Sequence, residues 1–233
     1  MFIGKFRKYS EKNLLKKMVY SILGDVAIPT TYRLMPAIKW IKEREFSSIL
    51  DIGISHGVLL FHLAEIFPES KLLGIDIEPD FISECNIIIK SNLAKYKNVQ
   101  LLKHDMQKPL PIIGKYNLVT IFDVVEHIAE LDSLFNNIFN ILVEDGVLII
   151  GVPYYQDGGI PQKEEKTNLH VDHVDHEWKG FSLKSLERVS KRNRFKIIAN
   201  LSQIGFFARI ALFLFYKLSI RKKDKNITEV TPQ

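Results

Sequence analysis

The chain has 233 residues, 46% apolar and 25% charged, with 32 Lys and Arg against 27 Asp and Glu and a single cysteine, Cys85. A domain of this size buries a core without disulfides, and one thiol excludes an intrachain bridge, so a reducing, cytoplasmic setting is expected. Positions 1–20 carry six basic residues and one acidic, and positions 217–233 carry five and two, so the total of +5 leaves −3 for positions 21–216.

Positive charge confined to the two ends, with an acidic middle, argues against a specific nucleic-acid partner. The ends read as solvated tails that are also suited to peripheral contact with an anionic membrane. The opening MFIGKFRKYSEK has no apolar core of signal-peptide length, so secretion is not expected. The longest apolar stretch, Ile204 to Ile220, is 17 residues interrupted by Arg209 and Lys217, short of a membrane span.

In chain order, apolar residues at helical spacing predict helices over Lys12–Leu23 and Tyr32–Arg44, broken between them at Gly24 and Pro29. From Ser48, short β-rich runs alternate with helical ones: SILDIG, VLLFHLAEIF, KLLGIDI, DFISECNIIIKSNLA, VQLLKHDM, YNLVTIF, LDSLFNNIFNIL and GVLIIGVP. Near-continuous Ile, Leu and Val runs between amphipathic helices predict a doubly wound α/β domain with a parallel sheet covered on both faces. A polar, His-rich loop follows from Tyr154 to Lys179, long enough to face a substrate. Ser182 then caps a helix over 182–193, and FKIIANLS and FARIALFLFYKL predict an antiparallel hairpin turning at Gln203 to Gly205. The competing reading of 206–218 is a membrane-surface helix.

Chemistry concentrates at the strand ends. ILDIGISHG, residues 49–57, is a strand running into a Gly-containing turn and a helix, which is the form of a ligand loop at a topological switch point. Its spacing is D-x-G-x-S-x-G and not the dinucleotide GxGxxG. Asp51 would repel a pyrophosphate but can accept from an ammonium group. Asp76 closes the next strand, where an acid can accept both hydroxyls of a ribose, and Asp105 follows the third, where a carboxylate can accept an adenine amino group.

These motifs resemble the class I S-adenosylmethionine-dependent methyltransferases, in particular the small-molecule group that includes the ubiquinone O-methyltransferases, over residues 30–205. The glycine-rich first motif lies on Asp51, Gly53 and Gly57, with Ser55 where a Gly is usual; the ribose acid on Asp76, followed by Ile77; the adenine-contacting acid on Asp105 with Met106. FDVVEHI matches the fourth-strand signature and GVLIIGVP the fifth strand. Asn117 and the EDG at 144–146 depart from the usual pattern. The resemblance implies a Rossmann-like sheet of seven strands with an antiparallel last strand, and S-adenosylmethionine as cofactor. Residues 1–46 would then form a helical cofactor cover, 47–218 the catalytic domain and 219–233 a disordered basic tail.

Methyl transfer from a sulfonium is an in-line displacement, so alignment dominates and a base serves only a hydroxyl acceptor. Asp123, Glu126 and His127 after the fourth strand, and His173 among the loop histidines His170, His173 and His176, are the catalytic candidates. The D-x-x-E-H spacing resembles the E-x-x-E-H that binds magnesium in metal-assisted members; Asp123 replaces the first Glu, and no metal ligand is assigned. Arg33 is a candidate for the methionine carboxylate, as an Arg before the first motif is in some relatives. The expected function is O-methylation of a small molecule or a glycan or lipid precursor, and the alternative is a non-catalytic module of the same fold.

Overall fold

The computed structural model describes residues 5–23, 28–111, 114–153, 178, 180–205 and 208–217, with the side chains of 23, 28–32 and 201–217 excepted. Five strands run parallel in the order β3-β2-β1-β4-β5: β1 Ser48–Ile52, β2 Lys71–Asp76, β3 Val99–Lys103, β4 Tyr116–Phe122 and β5 Leu142–Pro153. Successive side chains of a strand point to opposite faces, so an unbroken apolar run feeds two cores. Leu50, Ile52, Leu148, Ile150 and Val152 join one cluster, while Ile49, Val147 and Ile149 join the other. Each fully buried aliphatic side chain contributes roughly 1.5–3 kcal/mol.

The first core is closed by α5, Leu131–Ile141, through Leu134, Phe135 and Ile138, and by α6, Leu183–Arg192, through Leu186 and Val189. Ser182 caps α6 as expected, accepting from Ser185 N. The second core holds α3, Val58–Ile66, buried from Val58 to Ala64, and α4, Pro79–Ser91, through Cys85 and Ile88. A 3-10 turn, Lys5–Tyr9, inserts Phe6 against the Phe61 ring at 4.9 Å and so ties the N-terminal segment to α3. Asn117, where the family pattern favours an acid, still offers an acceptor: its Oδ1 receives Ser48 N at 3.1 Å and Ser47 Oγ at 2.6 Å, joining the starts of β1 and β4.

Two local expectations are corrected. The helices are α1, Leu14–Leu23, and α2, Ile28–Lys42, and Pro29 does not break the chain; it lies in the first turn of α2, where a missing N–H costs nothing. The turn expected at Gln203 to Gly205 is strand instead. β6, Phe195–Gly205, pairs antiparallel with β7, Ala208–Lys217, until Gly205 stands opposite Ala208, and β7 pairs antiparallel with β5. Backbone pairing persists there because each added residue finds a ladder partner. The loop of 154–177 and the tail of 219–233 lie outside the described residues.

Candidate active site

Strand order sets the site. The chain leaves β1 toward β2 and β3, while β4 and β5 lie on the other side of β1, so the carboxyl ends of β1 and β4 border the switch point where such sheets bind ligands. Asp51 on β1, Asp76 at the end of β2, Asp105 beyond β3 and Asp123 beyond β4 therefore form one row along that edge.

Asp51 is 4% exposed and its Oδ1 accepts from Thr120 Oγ1 at 2.6 Å. Burial pushes its carboxyl up to about 7; the Thr120 bond opposes the rise and the charge of Asp76 adds to it. A buried acid poised near neutrality becomes fully charged when a cation arrives beside it.

The loop after β1 is held by its neighbour strand. Gly53 N and Ile54 N donate to Ile75 O at 2.8 and 3.1 Å, and Ser55 N donates to Asp76 Oδ2 at 2.8 Å. Gly53 has φ +73° and a Cβ there would stand 2.1 Å from Val124 Cγ2, so only glycine fits. Gly57, at φ +75°, sits against the Phe61 ring, 2.6 Å from where a Cβ would stand. Ser55 takes φ +46° while bearing a Cβ, a strain of roughly 1–2 kcal/mol. His56 Nδ1 lies 2.7 Å from Glu84 Oε2 on α4, and Ser10 Oγ donates to Glu84 Oε1 at 2.8 Å. The His56 bond is the chief reason the Glu84 carboxyl lies below its ordinary value. The glycine loop is thereby linked through α4 to the N-terminal segment.

Asp76 is 7% exposed and spends one lone pair on each oxygen locally, since Oδ1 also accepts from Glu78 N at 2.9 Å. Lone pairs remain for further donors. Ile77, beside it, is 54% exposed and offers an apolar surface at the ligand edge. Asp105 Oδ1 accepts from Gln107 N at 3.0 Å, its Oδ2 lies 3.6 Å from Lys108 Nζ, and Met106 is buried in the first core.

At the end of β4, Asp123 adopts φ +52° and pairs through Oδ2 with Arg33 Nη1 of α2 at 3.0 Å. Three residues on, in the turn Val125–His127, Glu126 is 2% exposed and its Oε2 is buried without a hydrogen-bond partner, as is Arg33 Nε. Burial raises the Glu126 carboxyl to about 8, opposed by a backbone hydrogen bond; the Asp123 charge adds and Arg33 subtracts. Trp178 closes over this turn, with its N donating to Glu126 O at 3.0 Å and its Nε1 to Ile128 O at 2.7 Å. His127 is half-buried in the same turn, whereas His170, His173 and His176 lie outside the described residues. Among the described residues no three His, Cys, Asp or Glu gather as a metal-ligand set. No helix among them is long and apolar enough to cross a membrane.

Sequence spacing does not single out Thr120, Val124 or Glu84. Thr120 carried a signal, being a lone hydroxyl in the otherwise apolar core of YNLVTIF; the other two carried none, since their roles are contacts with residues at least 28 positions away.

The parallel order β3-β2-β1-β4-β5, with its acids along the carboxyl edge, defines the Rossmann-like class I fold of S-adenosylmethionine-dependent methyltransferases. The chain belongs to the family whose model is described as a methyltransferase domain, which matches residues 44–199. It is similar to the trans-aconitate 2-methyltransferase of Deinococcus radiodurans, with 24% identity over 117 residues, covering 50% of this chain and 42% of that protein. The match thus spans less than half of that relative. Among solved structures it resembles the N-methyltransferase NodS from Bradyrhizobium japonicum in complex with S-adenosylhomocysteine, at 13% identity and a TM-score of 0.61 over 92% of this chain and 97% of that one. It also resembles the O-methyltransferase of a trans-AT PKS multienzyme of Brevibacillus brevis, at 17% identity and a TM-score of 0.59 over 86% and 79%. At these identities the two structures share the fold.

Proposed function

We propose that the strand-end row binds S-adenosylmethionine and that the chain methylates an oxygen of a small molecule or of a glycan or lipid precursor. The observation that carries the cofactor reading is Asp51, a buried carboxyl held near neutrality at the switch point and therefore ready to meet a cation. Asp76 would receive the ribose hydroxyls on its remaining lone pairs, Ile77 would offer its exposed side chain to the adenine, and Asp105, with Met106 next to it in the chain, would accept the adenine amino group. Gly53, Ser55 and Gly57 bring loop backbone against the amino-acid end, and Arg33 meets its carboxylate. Bound S-adenosylmethionine supplies an electrophilic methyl group on a sulfonium.

His127 or the loop residue His173 removes the proton of an acceptor hydroxyl, and Asp123 orients the acceptor side of the site. Glu126, whose carboxyl burial raises to about 8, is a further acid–base candidate in the same turn. The acceptor class draws support from relatives whose names specify trans-aconitate or O-methylation. We take residues 1–46 as the cover, 47–218 as the catalytic unit, and β6 and β7 as the sixth and the antiparallel seventh strand of the family sheet; their register with β5 supports that assignment.

Calorimetry with S-adenosylhomocysteine tests the cofactor, and absence of binding by a folded sample removes the assignment. Release of S-adenosylhomocysteine from S-adenosylmethionine across hydroxylated lipids, sugars, quinols and carboxylic acids then tests the acceptor. Binding without turnover on every acceptor would favour the non-catalytic module.

A further inference from the structure

The helix α1 presents an apolar stripe that nothing among the described residues covers. Leu14, Leu15, Met18 and Ile22 are 73%, 71%, 55% and 64% exposed, and they make up half of the eight large apolar side chains exposed among the described residues. At 100° per residue these four fall within one 100° arc of the helix, whereas Tyr20, on the opposite side, is half-buried beneath the Arg7 guanidinium at 5.0 Å. A contiguous exposed apolar face marks a contact surface.

Its surroundings select the partner. Lys17 is exposed along one edge of the stripe and Lys12 just before the helix, with Lys16 exposed on the far side, and residues 1–20 carry six basic side chains against Glu11 alone. An apolar stripe with lysines around it on a short helix fits the boundary between headgroups and acyl chains, where the stripe is buried and lysine stems snorkel to anionic phosphates. A protein partner would call for aromatic or Arg anchors at the centre of such a patch, and the stripe has neither.

We propose that α1 lies in the plane of an anionic lipid bilayer, with Leu14, Leu15, Met18 and Ile22 inserted and the surrounding lysines on the headgroups. The 3-10 turn joins this helix to the core through Phe6, so docking holds the domain at the surface. The strand-end site then works beside a membrane, within reach of an acceptor dissolved in it.

Flotation of the full chain with vesicles of phosphatidylcholine containing about a third phosphatidylglycerol, and with phosphatidylcholine alone, tests this. Binding is expected to the anionic vesicles, to weaken by about tenfold or more in L15E/I22E, and to weaken as salt rises from about 0.05 to 0.3 M. K16E/K17E should lose the preference for anionic vesicles. An unchanged thermal midpoint and far-ultraviolet spectrum establish that the variants fold, and S-adenosylhomocysteine calorimetry on the same samples reports the cofactor site separately. Wild-type binding by L15E/I22E would assign the contact to the C-terminal basic segment and overturn the proposal. So would absence of binding by the wild type, or a concentration-dependent dimer that L15E/I22E abolishes, since the stripe would then cover a second copy.

Discussion

Asp51 and Thr120 are register partners on the parallel strands β1 and β4, and the Thr120 hydroxyl donates to the Asp51 carboxylate at 2.6 Å. The pair places a titrating group at the switch point inside the core. Cofactor affinity should therefore depend on pH: binding of S-adenosylhomocysteine is expected to strengthen as pH rises from 6 to 8, through the Asp51 value of about 7. Asp51→Asn should weaken that ligand, remove the pH slope and leave adenosine nearly unaffected. Equal losses for both ligands in calorimetry would show that Asp51 orders the loop instead of sensing the amino-acid end.

Thermal stability of the cofactor-free protein should fall as pH rises from 6.5 to 8.5. Asp51 and Glu126 have folded values of about 7 and about 8 against ordinary values of 3.8 and 4.5, so the folded state holds more protons and loses stability until those values are passed. His62, lowered to about 4 mainly by burial, acts with the opposite sign, but only between about 4 and 6.5, below this window. Glu126→Gln should flatten the upper part of the fall in a calorimetric series; a slope identical to wild type would place Glu126 in contact with water.

Asp76 has two roles that one substitution should expose together. Asp76→Ala removes the acceptor of Ser55 N and Glu78 N, two part-buried hydrogen bonds worth roughly 0.5–1.5 kcal/mol of stability each. It should also weaken both adenosine and S-adenosylhomocysteine, because both carry the ribose. Loss of stability with unchanged adenosine affinity would confine Asp76 to holding the loop.

The glycine loop offers paired tests of backbone strain. Ser55→Gly relieves a left-handed residue and should raise stability by about 0.5–1 kcal/mol net of chain entropy. Gly53→Ala should be strongly destabilising, because its Cβ would meet Val124 Cγ2 at 2.1 Å. Val124→Ala should rescue part of that loss and leave the cost of φ, a coupling that a double-mutant cycle in urea measures. Simple additivity would mean the two residues do not meet.

Arg33 lies between two assignments, the methionine carboxylate and its 3.0 Å pair with Asp123. Arg33→Met is expected to weaken S-adenosylhomocysteine but not adenosine. If adenosine weakens equally, the Arg33 pair serves to place α2 and does not read the ligand.

What the sequence determined by itself was whatever depends on local pattern. Unbroken apolar runs at period 2, alternating with amphipathic runs at period 3.6, require a sheet buried on both faces, and the acids at the strand ends were legible because an acid following such a run has nowhere to go but the edge. Ser182 was legible as a cap for the same reason of locality. Tertiary structure alone decided how those acids differ. Asp51 became a near-neutral group because the packed sheet buries it beside Asp76, against the opposing hydrogen bond of Thr120 from 69 residues away, and Asp76 became a support for the loop because Ser55 N folds back onto it across 21 residues. The pairing of Arg33 with Asp123 across 90 residues and the burial of Glu126 in the turn that Trp178 covers are likewise tertiary. Burial and neighbours set a carboxyl's charge, and neither is a property of sequence spacing.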